Sequence, residues 1–384
     1  MKKSTMNRTF SALVCGAFAL VAGSAGAAPL TTNLYAKLVY YHPTTGARIS
    51  PSAATPPAPS SGYIPVWGFA TTPNGQAQIP GPKLDVAPDQ HDGANEGVVI
   101  TVYNLLTNLP YSEPISLVIP GLNGTTNVGQ PVKFGAGDAD YPNRVRSLVP
   151  EVPVGGSRVY AWTGTLKLGT YAYHSGTHPS LQVQMGLYGM LTVRSNNNQA
   201  YKGYSIPTNR ETPVVFSELD PILHWAVTTN GYGPGKAISS TMHSDPSFFL
   251  INGRAYSKST TPPDLTAGGA LSQTTLFRMI NFCWDSRIPT LAGPVPIGRS
   301  VPQGSGANYV TAIAEDAHLY PFPRTAYAPN LAALKTLDVL FTPPTPRGGS
   351  GPPHYYFFYD HRLGLSNPGN PDGGMYARWV VTAN

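Results

Sequence analysis

Gly169-Thr170-Tyr171-Ala172-Tyr173-His174-Ser175, followed by Gly186-Leu187-Tyr188-Gly189 and a run to Val193, is the stretch whose reading decides the fold. Both runs are rich in aromatic and β-branched residues, and glycines bound them. They read as two strands, Gly169 to His174 and Gly186 to Val193, on either side of a loop. His174 closes the first strand, and the loop carries His178 and Met185.

Working outward, further strand-like runs occur at Leu34 to Tyr41, Tyr63 to Ala70, Val98 to Asn104 and Arg158 to Trp162. A second set follows at Pro213 to Ser217, Ser247 to Asn252, Thr274 to Asn281, Tyr309 to Glu315, Thr336 to Phe341, Tyr355 to Tyr359 and Met375 to Val381. Most alternate apolar with polar residues and are bounded by turn formers. Neither half carries a sustained 3.6-residue apolar stripe, though one short helical passage is possible in each. The expected fold class is all-β, with two tandem Greek-key sandwiches or barrels. The polar segment Ser195 to Arg210 reads as a connection, so the expected division is residues 28–197, a linker at 198–212, and residues 213–384. Pro51 to Pro59 and Pro343 to Pro353 read as long surface loops.

The N-terminus sets the compartment. Lys2, Lys3 and Arg8 precede an apolar run from Phe10 to Gly23 that is too short to span a bilayer, and Ala25-Gly26-Ala27 supplies small residues for signal cleavage. Residues 1–27 read as a signal peptide with Ala28 as the mature start, giving an exported protein that is periplasmic or secreted. A lipoprotein reading of Cys15 is weaker, because bulky Val14 precedes it. No later stretch is apolar enough for a membrane helix. Cleavage removes three cations and no acid, so the net charge falls from +6 to +3. With charged residues at 11% and no dense Lys/Arg cluster, nucleic acid is not an expected partner. Cys283 is then the lone cysteine, and an intramolecular disulfide is excluded.

Several motifs together resemble the multicopper oxidase family. They are Ile64-Pro65-Val66-Trp67-Gly68-Phe69, Ile79-Pro80-Gly81-Pro82, Val99 to Asn104, the Gly-Gly turn within Pro153 to Tyr160, and the Gly169 to Gly189 element. In the second half, Ser217-Glu218-Leu219-Asp220-Pro221, Phe249 to Arg254, Ile288 to Leu291 and Ala314-Glu315-Asp316 continue the match. The resemblance covers nearly all of the chain beyond residue 27. It implies cupredoxin (plastocyanin-like) domains, with copper as the cofactor.

That family needs a mononuclear copper held by a Cys thiolate, two His and a weak axial Met. It also needs a trinuclear cluster held by His-x-His pairs. The first pair is expected within Ser116-Leu117-Val118-Ile119-Pro120-Gly121, where Val118 and Pro120 stand instead of His. At the second pair His174 survives, but Gly176 occupies the partner's place and His178 follows. The remaining pairs belong to a domain this sequence does not contain. Cys283 is followed by Trp284-Asp285-Ser286, with His318 far beyond ligand spacing, so it reads as a buried apolar residue. Near the C-terminus Tyr359-Asp360-His361 and Gly374-Met375 echo the Cys-His…Met pattern, with Asp360 in the thiolate's place and Leu365 near that of the second His.

What remains as a metal candidate is His174, His178 and Met185, a nitrogen and thioether set that suits copper. Gln182 and Gln184 are available as weak oxygen donors. The bland alternative has His174 bonded to a carbonyl at a strand end and Met185 as plain core. Asp360 with His361 and Met375 is a weaker candidate; a salt link of Asp360 to Arg362 or its loop is the favoured alternative. Glu315-Asp316, beside His318, could hold a cation or cap a turn, the latter being commoner. His42, His224, His243 and His354 show no ligand spacing. Three functions follow as expectations. The first is weak copper binding in copper handling or electron transfer. The second is a copper-free structural or interaction module contacting a protein partner. The third is an oxidase completed in a homo-oligomer.

Overall fold

The computed structural model describes residues 28–51, 56–87, 90, 96–122, 125–126, 129–135, 142–257, 264–265, 268–295, 307–344, 353–362, 366–368 and 374–382. The expected signal segment with Cys15, parts of both proline-rich loops, and Leu365 lie outside these residues.

The strand Leu30–Tyr41 organises the first half. It pairs antiparallel with Ile64–Ala70, Leu38 opposite Trp67, and parallel with Gly97–Asn104, Leu34 opposite Val102. Gly97–Asn104 in turn pairs antiparallel with Ser157–Thr163. A facing sheet is formed by Gly169–His174, Tyr188–Val193 and Leu84–Val86. Alternation along Gly97–Asn104 sends Val98, Ile100 and Val102 inward, where they meet Trp67, Phe69, Tyr160, Tyr171 and Leu191 between the layers. This is how alternating β-branched residues close a sandwich.

The second half repeats the plan. One sheet runs in the order Arg254–Ala255, Phe248–Ile251, Glu211–Leu219, Thr275–Asn281, Thr336–Phe341, Val310–Glu315 and His318–Ala326. The other runs Gly269–Ala270, Tyr376–Thr382, His354–Asp360, Pro289–Val295 and Ala307–Asn308. Phe277 sits between them, 4.7 Å from the Phe358 ring and 4.9 Å from Trp379. The chain is all-β, with two cupredoxin-like sandwiches in tandem.

Among the described residues each half has one short α-helix, Pro179–Gln182 and Pro221–Thr228. The second starts where Asp220 accepts hydrogen bonds from the backbone N–H of Ile222 and Leu223 at 2.8 and 3.1 Å, with proline at its first position. Its buried His224 lies 2.7 Å (Nδ1) from the Pro65 carbonyl and 3.1 Å (Nε2) from that of Gln184, tying the helix to the first half. No helix among the described residues is long and apolar enough to cross a membrane.

A buried ion network also joins the halves. Arg278 donates through Nε to Glu211 and through Nη1 to both Asp338 and Thr170, each at 2.8 Å. Arg194 binds the other oxygen of Glu211 at 2.6 Å, and the hydroxyl of buried Tyr201 donates to Asp338. Residues from the first half, the Ser195–Arg210 connection and the second half thus converge on one guanidinium.

Candidate functional site

The strand Gly169–His174 ends where His174 meets Val118. The Val118 N–H donates to the His174 carbonyl at 2.9 Å, and the His174 N–H donates back at 3.1 Å. This two-bond bridge draws the segment Ser116–Val118 against the strand end, where the sequence resemblance puts the first His-x-His pair. Gly176 lies beneath it: a Cβ there would sit 2.7 Å from Val118 Cγ1 and 3.2 Å from Ser116 Oγ. A side chain at position 176 has no room without displacing Val118.

Hydroxyls and amides fill the surroundings. Ser116 Oγ accepts from the Gly176 N–H and from the Thr177 hydroxyl, both at 3.0 Å. Thr177 Oγ1 is also 2.9 Å from Ser147 Oγ, which donates to the Val149 carbonyl at 2.7 Å. Ser175 Oγ accepts from the Ser116 N–H at 3.2 Å and donates to the Gln182 side chain. Gln182 Nε2 then donates to Glu113 Oε1 at 2.8 Å and to the Pro114 carbonyl at 2.9 Å. Ser116, Ser147, Ser175, Thr177 and Gln182 are all buried, so the network satisfies polar groups that would otherwise be costly.

The three expected metal ligands stand as follows. His174 is buried and its Nδ1 donates to the Ser175 carbonyl at 2.9 Å. Burial holds its pKa below the ordinary imidazole value, which keeps the ring neutral and leaves Nε2 as its lone pair. His178 has φ 41° at the start of the short helix, and its Nδ1 is 3.1 Å from Glu113 Oε2. Glu113 also accepts from Tyr111 at 3.1 Å. Met185 is wholly inside the first-half core. Among the described residues, no group of three or more His, Cys, Asp and Glu side chains is arranged to hold a metal ion.

The second-half candidates resolve into ion pairs. Asp360 is buried and pairs with Arg287 Nη1 at 3.4 Å, while accepting from the Ile288 N–H at 2.9 Å. The salt link expected from Arg362 goes elsewhere: that guanidinium donates to Asp285 at 2.9 Å, and only the Arg362 backbone N–H approaches Asp360, at 3.5 Å. Arg287 also bonds Glu218. Met375 is core and His361 lies between the Tyr327 and Tyr359 rings. Asp316 sits in a tight turn and accepts from the Thr336 N–H at 3.1 Å, with Lys335 paired to it and to Glu315.

Cys283 is buried in the second core beside these charges. Burial, then Glu218, push its thiol far up, and Arg287 only partly opposes them. Sequence reading missed the Arg287–Glu218–Asp360 and Arg278–Glu211–Asp338 clusters. Their one-dimensional signal, isolated arginines on strands of otherwise apolar residues, is present at Arg278 within Thr275–Asn281.

The architecture defined by these two sandwiches is the multicopper-oxidase-like cupredoxin fold. Among solved structures, the multicopper oxidase mgLAC superimposes with a TM-score of 0.57 at 16% identity, over 93% of this chain and 87% of that one. The blue copper oxidase from Nitrosomonas europaea gives 0.56 at 14%, over 92% and 86%. The copper nitrite reductase from Nitrosomonas europaea gives 0.52 at 14%, over 93% and 94%. No protein-family model and no curated protein matches the sequence. At such identities the likeness establishes the fold.

Copper is the metal these neighbours carry in their names, so its fit to this chain is a matter of donor chemistry. A blue centre needs a thiolate among imidazoles. The Cys283 thiol is held protonated and stands among Glu218, Arg287 and Asp360. The trinuclear pairs need imidazoles where Val118, Pro120 and Gly176 stand. Neither oxidase centre fits. A mononuclear N-donor site at His174 and His178 uses residues that are chemically suited, each with Nδ1 engaged and Nε2 left over.

Proposed function

We propose that this chain is an exported, periplasmic or secreted protein that uses a cupredoxin scaffold without oxidase chemistry, acting as a copper-free structural or interaction module. The observation that carries the reading is the packing of Val118 on Gly176, with a closed hydroxyl–amide network around it. Where the sequence resemblance expects metal ligands, the polar groups bond one another. The exposed apolar edge strand His318–Ala326, with Phe322 85% exposed, supplies contact area for a protein partner or a second copy.

A second reading keeps weak copper binding at His174 and His178, with Met185 as a third donor. It is favoured by one observation: Glu113 orients the His178 ring through Nδ1 and leaves Nε2 as the nitrogen that could meet a metal. Copper loading of the mature protein, followed by dialysis and metal analysis, separates the two. Retained copper well below one per chain is the expected result. Stoichiometric copper that is lost in a His174→Ala, His178→Ala double variant would replace the first reading with the second. Export is checked separately: N-terminal sequencing of protein from the cell envelope or medium should begin at Ala28.

A further inference from the structure

A cleft of about 450 Å³ opens where the edge strands Arg48–Ile49 and Arg254–Ala255, one from each half, come together. Its walls include Tyr41, Arg48, Gln78, Lys83, Asn252 and Arg254, and no carboxylate lines it among the described residues. In a chain with 25 Lys and Arg spread over 384 residues, three cations on one small cleft are a concentration that packing alone does not require.

The arginines are held in place. The Arg254 stem lies over Gly46, where a Cβ would come within 3.0 Å of Cδ, and φ is +73° at that glycine. Its Nε donates to the Thr44 carbonyl at 3.0 Å. Both terminal nitrogens of Arg254 are left without a bond to any described residue. Arg48 stands opposite Tyr41 in the strand register, and its Nη1 makes only a long 3.5 Å contact with the Ala77 carbonyl. The Tyr41 hydroxyl donates to the Gly253 carbonyl, next to Arg254. Burial pushes the Tyr41 phenol up to about 12, while Arg254 and then Arg48 pull it the other way, so both guanidinium charges reach one hydroxyl. Lys83, the third cation, is already paired with Asp85. Neither arginine has a carboxylate partner among the described residues. Two like charges facing a half-buried cleft repel unless an anion lies between them, and guanidinium forks match the planar or tetrahedral face of an oxyanion.

We propose that this cleft between the halves binds an oxyanion, a phosphoryl or carboxylate group, clamped between Arg48 and Arg254. The site is independent of the copper question, since none of its residues belongs to the His174 region.

Isothermal titration of the mature protein with inorganic phosphate, and in a parallel arm with citrate, tests this at constant ionic strength. Saturable binding in either arm is expected, and the arm that saturates at lower concentration names the group. Arg48→Gln and Arg254→Gln should each weaken it about tenfold or more. Arg254→Lys keeps the charge but loses the fork, so it should fall between. Lys133→Gln, outside the cleft and bonded to Asn143 at 3.2 Å, should leave binding unchanged. Near-UV circular dichroism confirms that each variant is folded. No saturable binding of either anion, or binding unchanged in both glutamine variants, overturns the proposal.

Discussion

Val118 and His174 exchange two backbone hydrogen bonds, 2.9 and 3.1 Å long, at the point where the resemblance to copper oxidases puts a pair of metal-binding imidazoles. His174 is therefore pinned by main chain to a residue whose side chain cannot ligate a metal. Its Nδ1 is engaged by the Ser175 carbonyl. The strand end at His174 is thus a packing site.

That packing makes Gly176 a sensitive position. Adding a methyl group at Gly176→Ala brings a Cβ within 2.7 Å of Val118 Cγ1, and overpacking of this kind costs about 1–3 kcal/mol. Val118→Ala in the same chain should return a good part of that loss, because the clash disappears. Urea denaturation of the single and double variants measures the coupling; strict additivity would show that the two residues do not press on one another.

The Arg278 network should dominate stability. Arg278 is fully buried, and replacing it with Met strands Asp338 without its cation and leaves Glu211 with Arg194 alone. A loss of about 3–5 kcal/mol is expected in chemical denaturation. Thr170→Val removes one neutral partner of Arg278 and Asp338 and should cost far less, about 1 kcal/mol.

Stability should fall with acid through His174. Its folded pKa lies below the ordinary value of 6.5 because burial disfavours the cation. The unfolded chain therefore takes up a proton first as pH drops. The contribution is fully present above about 6.5 and is lost as pH falls toward the folded pKa, with a slope of up to about 1.4 kcal/mol per pH unit. A His174→Gln variant should show a shallower decline over the same window. Parallel curves for the two proteins would contradict this origin.

Cys283 should be unreactive in the native state. Its thiol is buried and held protonated, and a thiol in that form is a poor nucleophile. Ellman's reagent at mildly alkaline pH should leave the native thiol untouched and, in protein lacking residues 1–27, titrate one thiol per chain in guanidinium. Rapid native reaction would mean that the second core opens readily.

Much of the fold could be read from the chain. The strands expected at Val98 to Asn104, Thr336 to Phe341 and Tyr355 to Tyr359 appear as Gly97–Asn104, Thr336–Phe341 and His354–Asp360, since each alternates or is dense in β formers. Two longer strands escaped because prolines interrupt them. His318–Ala326 carries Pro321 and Pro323 but is a sheet edge, where a missing N–H is tolerated. Pro289–Val295 absorbs Pro294 within a bulge between Ala292 and Val295. At the site, the absence of family ligands at Val118, Pro120 and Gly176 was legible by position. What replaced them was not: Ser116, Ser147 and Thr177 are ordinary residues until the fold brings them within 3.3 Å of one another. Asp360 pairing with Arg287, 73 positions away, in preference to nearby Arg362 is the same lesson in charge. Local spacing cannot rank partners that only tertiary structure supplies.

Oxygen uptake by the copper-loaded mature protein, with a phenolic reductant and an equal concentration of free copper as reference, tests the central claim most directly. The expected rate does not exceed that of the free metal, and no blue thiolate band develops. Turnover above that reference, abolished in the His174→Ala, His178→Ala double variant, would contradict it.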